Sequence, residues 1–376
     1  MIEYDVKFAD CALKNVPYGN DTIFIGGLMP HNNFKIPDWA NGVVMRRNRT
    51  IYIIDTGAGI EYRERLKRAI NQLNKNVEQI VLINTHSHAD HIMNNDIINE
   101  FAEYEIQHLV HYNYPERIDQ EELFLEYFTE IHRYYNYFTA PPYPYKIISV
   151  LGRLFMSQKK AFQFIIKKVM KKFLPNRSKT NVMKPLMKKD SIEKEFGGER
   201  FQVWKVGEIE VIESIGHSPD HLMVYDPKLK LLISGDETFQ MFPTWPDTNT
   251  SNIIKNLNAI CEASRDGMIE MFMDSHHQFI LKSPEFISAF CGSILTSYYH
   301  IRDVVLSLVS KKKMSVSKIY EKICDISDHD QILYNLICME FPRTPIFLKT
   351  VIASILKQNN AKFIENTKNW YLEINT

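Results

Sequence analysis

One short segment, Thr85-His86-Ser87-His88-Ala89-Asp90-His91, constrains this chain more than any other. It follows directly on the apolar run Ile80-Val81-Leu82-Ile83, which reads as a buried strand. Side chains alternate in an extended segment, so His86, His88 and Asp90 project to one side and His91 follows on the turn. Imidazole and carboxylate are donors that zinc accepts at about 2.0–2.2 Å. An isolated histidine is usually a satisfied core or surface residue. Four donor-type residues clustered at the end of one strand are not explained that way.

Three more segments place similar groups at strand ends. Gly216-His217-Ser218-Pro219-Asp220-His221 follows a β-like run over 209–212. Ser234-Gly235-Asp236 follows Leu231-Leu232-Ile233, and Asp274-Ser275-His276-His277 follows Met271-Phe272-Met273. Either His276 or His277 can be the donor of the last segment. Loops at one edge of a layered sheet are where such residues converge on a ligand.

The surrounding pattern is α/β. Ile23-Phe24-Ile25, Gly42-Val43-Val44-Met45 and Ile51-Tyr52-Ile53-Ile54 are β-like, the last ending at Asp55-Thr56-Gly57. Residues 61–73 have helical character before the Ile80 run, and a strand, a helix and a strand in that order suggest a layered sandwich. Strands recur over 201–204, 209–212, 221–225, 231–233 and 271–273, with a helix over 252–263.

Length and composition bound the rest. A chain of 376 residues exceeds one ordinary core, so two domains are the default expectation. Residues 1–114 and 199–290 are assigned to the sandwich, 115–198 to a helical insertion and 291–376 to a separate unit. In the insertion, Phe162, Ile165, Ile166, Val169, Met170 and Phe173 share one helical face. Arg153 to Lys189 holds twelve Lys or Arg and no acid. That segment reads as a helix with a solvated basic side, as a lid drawing in an anionic substrate, or as a membrane-surface element. Phe124, Tyr127, Phe128, Ile131, Tyr134, Tyr135 and Phe138 form an aromatic stripe, which fits a core or an acyl-binding wall. In the last unit, helical spacing over 301–309, 315–324 (with Ser315 as N-cap) and 346–356 precedes two short strands over 361–374. That is the order of a winged helix. The third helix carries only Lys349 as a charge, which points to a structural or dimerising role, although RNA contact through Lys311-Lys312-Lys313 stays open.

Formal net charge is zero, which excludes polyanion binding by bulk charge alone. Cys11, Cys261, Cys291, Cys324 and Cys338 lack CxxC spacing. They predict reduced thiols in the cytoplasm and exclude a cysteine zinc ribbon. Met1-Ile2-Glu3-Tyr4-Asp5 has no signal-peptide character, and no window predicts a membrane span.

Taken together, these motifs resemble the metallo-β-lactamase superfamily over residues 20–110 and 199–285, including Asp55-Thr56-Gly57 and the four donor segments in the family's order. The resemblance implies a four-layer αββα sandwich with a helical insertion and a C-terminal winged-helix-like domain, similar to the β-lactamase-like protein 2 group. It implies that His86, His88 and His217 hold one metal, that Asp90, His91 and His276 hold a second, and that Asp236 bridges them. Asp90 would also orient a bridging hydroxide, and Asp55, Thr85 and His221 are the residues expected to orient the ligands. Oxygen-reducing di-iron relatives carry glutamate at the position of His88, so two Zn2+ are expected, although Mn2+ or Fe2+ suit the same donors. The implied reaction is hydrolysis of an ester, thioester or lactone in an anionic or acyl small molecule. A phosphodiesterase acting on RNA is the alternative, and a homo-oligomer is compatible with either. A true β-lactamase is not expected, because Asp236 stands where the commonest zinc β-lactamases carry cysteine.

Overall fold

The computed structural model describes residues 8–10, 13–27, 40–114, 180–238, 248–340, 345–364, 366–367 and 369–372. The basic helix expected over 162–173 and the aromatic stripe over 124–138 lie outside the described residues. The described residues form two compact units, the first comprising 8–114, 180–238 and 251–292 within those limits.

The first unit contains two large sheets. The seven-stranded sheet runs, in spatial order, Asn15–Tyr18, Thr22–Ile25, Gly42–Arg47, Thr50–Ile54, Gln79–Ile83, Glu105–His111 and Met183–Leu186. Its first four strands pair antiparallel and the rest parallel. The eight-stranded sheet runs Phe8–Asp10, Phe279–Leu281, Met271–Met273, Leu231–Ile233, Leu222–Asp226, Ile209–Glu213, Glu199–Val206 and Ile192–Phe196.

The period of two along each strand divides the core. Tyr52, Ile54, Val81 and Ile83 point between the sheets, where they join Val211, Val224, Ile233 and Met273 from the second sheet. The alternate residues Ile51, Ile53, Ile80 and Leu82 pack on the other face with Tyr62, Leu66 and Ile70. These belong to the helix Ile60–Leu73, expected from residue 61. The helix Thr250–Arg265 covers the outer face of the second sheet, where Lys255 lies over the ring of Phe201 at 4.4 Å. Gly197, at φ +56, allows that approach, because a Cβ there would run into the Ala259 carbonyl. The result is an αββα sandwich. A buried Arg47–Asp226 ion pair ties one sheet to the other, with Nε 3.1 Å from Oδ2.

Strands return at Met183, earlier than the apolar runs indicate. Met183–Leu186 and Ile192–Phe196 are edge strands, which explains why a lysine, a proline and charged residues are tolerated in them.

The second unit includes the later turns of the helix Pro284–Lys311, then Met314–Ser315, the helices Val316–Ser327 and Pro345–Gln358, and the strands Lys362–Ile364 and Asn369–Tyr371. The three strands form one small sheet with Asn369–Tyr371 at its centre. Ser315 caps its helix, its hydroxyl accepting the Lys318 N–H at 3.3 Å. No helix among the described residues is long and apolar enough to cross a membrane.

Candidate metal centre

The strand Thr50–Ile54 ends on Asp55, a non-glycine residue at φ +58. This conformation is uncommon for an L residue and is held by the contacts around it. Asp55 Oδ1 accepts the Thr85 N–H at 2.8 Å, and Oδ2 accepts the Thr85 hydroxyl at 2.7 Å. The same Oδ2 stands 2.8 Å from His91 Nδ1. A carboxylate there selects the Nδ1–H tautomer, which leaves the Nε2 lone pair facing inward.

The side chains at the strand ends of both sheets converge on one point. Donor atoms of His86, His88, His217 and Asp236 lie within 4.8 Å of one another, and those of Asp90, His91 and His276 do likewise. In the first group, His86 Nε2 stands 2.9 Å from His88 Nδ1, which stands 3.1 Å from His217 Nε2. Asp236 Oδ2 is 3.4 Å from His217 Nε2 and 3.7 Å from His86 Nε2. In the second group, Asp90 Oδ2 is 3.5 Å from both His91 Nε2 and His276 Nε2. Asp236 reaches this group too, Oδ1 at 3.2 Å from His91 Nε2 and Oδ2 at 3.0 Å from His276 Nε2.

These spacings fit metal ligation. Tetrahedral donors about 2.0–2.1 Å from a common centre stand roughly 3.4 Å apart, close to the separations found here. His88 Nδ1 faces two ring nitrogens, and its single proton or lone pair can hydrogen-bond only one of them. His91 Nε2 and Asp236 Oδ1 are both buried and face one another at 3.2 Å.

The electrostatics agree. Burial, then the neighbouring His91 and His88, holds His86 well below its ordinary pKa, and burial takes His217 down to about 3. Both therefore offer neutral lone pairs, as metal ligands must. Burial opposes charge on His91, but Asp236, Asp90 and Asp55 outweigh it and push that pKa well up. A positive charge is thus favoured where three carboxylates meet. Burial would raise Asp236, yet His276, His91, His217 and His86 hold it well below the carboxylate range. Burial raises Asp90, with His91 and His276 opposing.

All seven residues singled out from the sequence are brought together. The choice left open in the last segment is resolved in position: His276 joins the cluster, while His277 turns to Asp274 and packs on Phe290 at 4.9 Å. His221 stands outside both groups. Its Nε2 accepts the Asp236 N–H at 3.0 Å.

Sequence reasoning missed several buried supports. Asp220 accepts the Ser87 N–H at 2.9 Å, joining the first donor segment to the His217 turn. Asn41 donates to the carbonyls of Asp274 at 2.9 Å and His277 at 2.7 Å. Asp274 accepts the His276 N–H at 3.1 Å, and Glu237 the His217 N–H at 3.1 Å. The one available signal was glycine: a Cβ at Gly216 would meet Glu237, and one at Gly235 would meet His221.

A two-sheet sandwich with a His/Asp cluster at one edge defines a class of metal-dependent proteins, and the comparisons place this chain within it. The model of the metallo-beta-lactamase superfamily matches residues 40–267, more than half of the chain. The chain belongs to the metallo-beta-lactamase superfamily, whose members are typically metal-dependent hydrolases that bind divalent metals, usually zinc. No curated protein matches it in sequence. A beta-lactamase domain protein from Burkholderia ambifaria is similar in fold, with a TM-score of 0.54 and 13% identity over 97% of this chain and 95% of that one. A double mutant of a sec-alkyl sulfatase gives a TM-score of 0.55 at 13% identity, over 93% of this chain and 50% of that one.

Proposed function

We propose that this chain is a dinuclear zinc hydrolase that cleaves an ester, thioester or lactone in a small acyl substrate. The observation that carries this reading is Asp236, whose two oxygens face both donor groups at once. His86, His88 and His217 would hold one cation, Asp90, His91 and His276 the other, with Asp236 shared. Cations held there would lower the pKa of a shared water toward neutrality and stabilise a developing oxyanion.

The chain's own residues divide the remaining work. Asp90 is the more exposed of the two carboxylates of the cluster, at 20%, and would orient the attacking water and take up its proton. Asp55 fixes the His91 tautomer through Oδ2. Asp220 and Asn41 hold the donor turns in register across the two sheets.

The C-terminal unit, with helix, strand, two longer helices and a hairpin, is read as winged-helix-like, and with it the similarity to the β-lactamase-like protein 2 group. A role in guiding RNA is not supported by its third helix. Lys349 is half-buried and lies over the Tyr320 ring at 5.3 Å, and burial lowers its pKa.

The test is elemental analysis paired with hydrolysis assays on an aryl ester, an acyl-CoA, a lactone, bis-p-nitrophenyl phosphate and single-stranded RNA. Two zinc per chain and carbonyl cleavage lost in Asp90→Ala are expected. Cleavage of the phosphodiesters alone would replace the acyl reading with the nuclease one. Failure to bind metal under replete conditions would end both.

A further inference from the structure

Glu237 follows Asp236 in sequence and resembles a surface acid, yet it is fully buried. Its Oε1 accepts the Gly216 N–H at 3.2 Å and the His217 N–H at 3.1 Å. The same oxygen stands 3.1 Å from His221 Nδ1. Oε2 accepts from Asn256 Nδ2 at 3.0 Å. A buried carboxylate that accepts three N–H groups and faces a fourth, His221 Nδ1, is an anchor, because the donors it holds would otherwise lose a partner away from water.

His221 extends the anchor. Because its Nε2 accepts the Asp236 N–H, the ring proton sits on Nδ1, where Ser214 Oγ at 2.8 Å and Glu237 face it. The chain of contacts therefore runs from the backbone of His217 through Glu237 and His221 to the backbone of Asp236. The first end carries His217, a donor of the first group, and the second carries Asp236, which the two groups share. None of these contacts reaches Asp90, His91 or His276. Those residues are held by other carboxylates, His91 by Asp55 and the His276 turn by Asp274.

We propose that Glu237 is a positioning residue that acts mainly on one of the two metal subsites, that of His86, His88 and His217, through the His217 turn, so that the two subsites are organised mainly by different buried carboxylates and can be weakened unequally. This rests on the reading that the two donor groups hold divalent cations.

Glu237→Gln tests it. Glutamine keeps the shape but offers one acceptor oxygen, so its NH2 must face either Asn256 or the three donors on Oε1. Zinc would be titrated into metal-free protein against a chromophoric chelator in two backgrounds. In Asp90→Ala/His276→Ala protein, which retains the first group, Glu237→Gln should weaken zinc by about 10–100-fold. In His86→Ala/His217→Ala protein, which retains the second, the change should stay within about twofold. Equal losses in both backgrounds would mark Glu237 as a general structural residue and overturn the proposal, as would no loss in the first. If the glutamine variant does not fold, Asn256→Ala removes the donor that holds Glu237 Oε2 and must show the same selectivity. Should the unsubstituted chain bind no zinc at all, the metal reading itself fails, an outcome distinct from loss of selectivity.

Discussion

Replacing Asp55 with asparagine should loosen one metal subsite while leaving the backbone in place. Asparagine accepts a φ near +58 as readily as aspartate does, so the lesion is confined to one atom. The Thr85 N–H cannot reorient, and the new amide oxygen stays on it. The NH2 then takes the place of Oδ2 and faces the Thr85 hydroxyl and His91 Nδ1, which stand 2.7 and 2.8 Å from that oxygen. His91 relieves the clash by moving its proton to Nε2, the nitrogen aimed at Asp90 and Asp236. A proton there occupies the lone pair a cation needs. Loss of such an orienting partner weakens metal binding by about 10–100-fold, or about 1.4–2.7 kcal/mol. Zinc titration of the metal-free variant, with circular dichroism to verify the fold, should find one equivalent weakened and the other unchanged. Two equivalents bound with parental affinity, together with parental turnover, would refute the tautomer reasoning.

Three further outcomes are expected. Asp226→Ala leaves the buried Arg47 guanidinium with the Asp21 carboxylate, 3.4 Å away, as its remaining ion partner and should cost about 1.5–3 kcal/mol in urea unfolding; a loss below about 0.5 kcal/mol would mean that Asp21 alone compensates the charge. Burial holds His108 at about 3, below its ordinary 6.5, so the unfolded chain binds a proton that the native one refuses. Stability from this residue is intact above pH 6.5 and falls by about 1.4 kcal/mol per unit as pH drops toward 3. His108→Gln should flatten that slope relative to the parent between pH 6.5 and 5 in equilibrium unfolding, and parallel curves would contradict the assignment. Gly235→Ala combines φ +59 with a Cβ directed at His221, and should destabilise by at least about 1–2 kcal/mol while lowering zinc content; normal zinc content would show that the Asp236 turn can adjust.

What the sequence revealed and what it hid follow from how each strand is paired. Central strands such as Thr50–Ile54 and Gln79–Ile83 are buried on both faces and read as apolar runs. Asn15–Tyr18, with Pro17, and Met183–Leu186, with Lys184 and Pro185, are the edges of their sheet and lack that pattern. The charged Ile192–Phe196 is the corresponding edge of the other sheet. The cluster itself was legible because four donor segments each follow a strand. Of its supports, Asp55, Thr85 and His221 were named from the sequence, and Glu237, Asp220, Asn41 and Asp274 were not. Glu237 and Asp220 are acids next to other polar residues, and nothing in one sequence separates a buried, hydrogen-bonded carboxylate from a solvated one. His276 and His277 are chemically equal in sequence, and only the turn held by Asp274 and Asn41 turns one inward and the other away.

The donor turns leave the two sheets on opposite sides of the central core. His86, His88, Asp90 and His91 come from the seven-stranded sheet, and His217, Asp236 and His276 from the eight-stranded one. Neither donor group is complete on a single sheet. A cation bound by either group is therefore a cross-strut between the halves of the sandwich, and its binding free energy is added to the work of pulling them apart. The concentration of a cation that binds there would act on this molecule as a mechanical variable, and the transition most sensitive to it should be separation of the sheets, not fraying of the helices outside them.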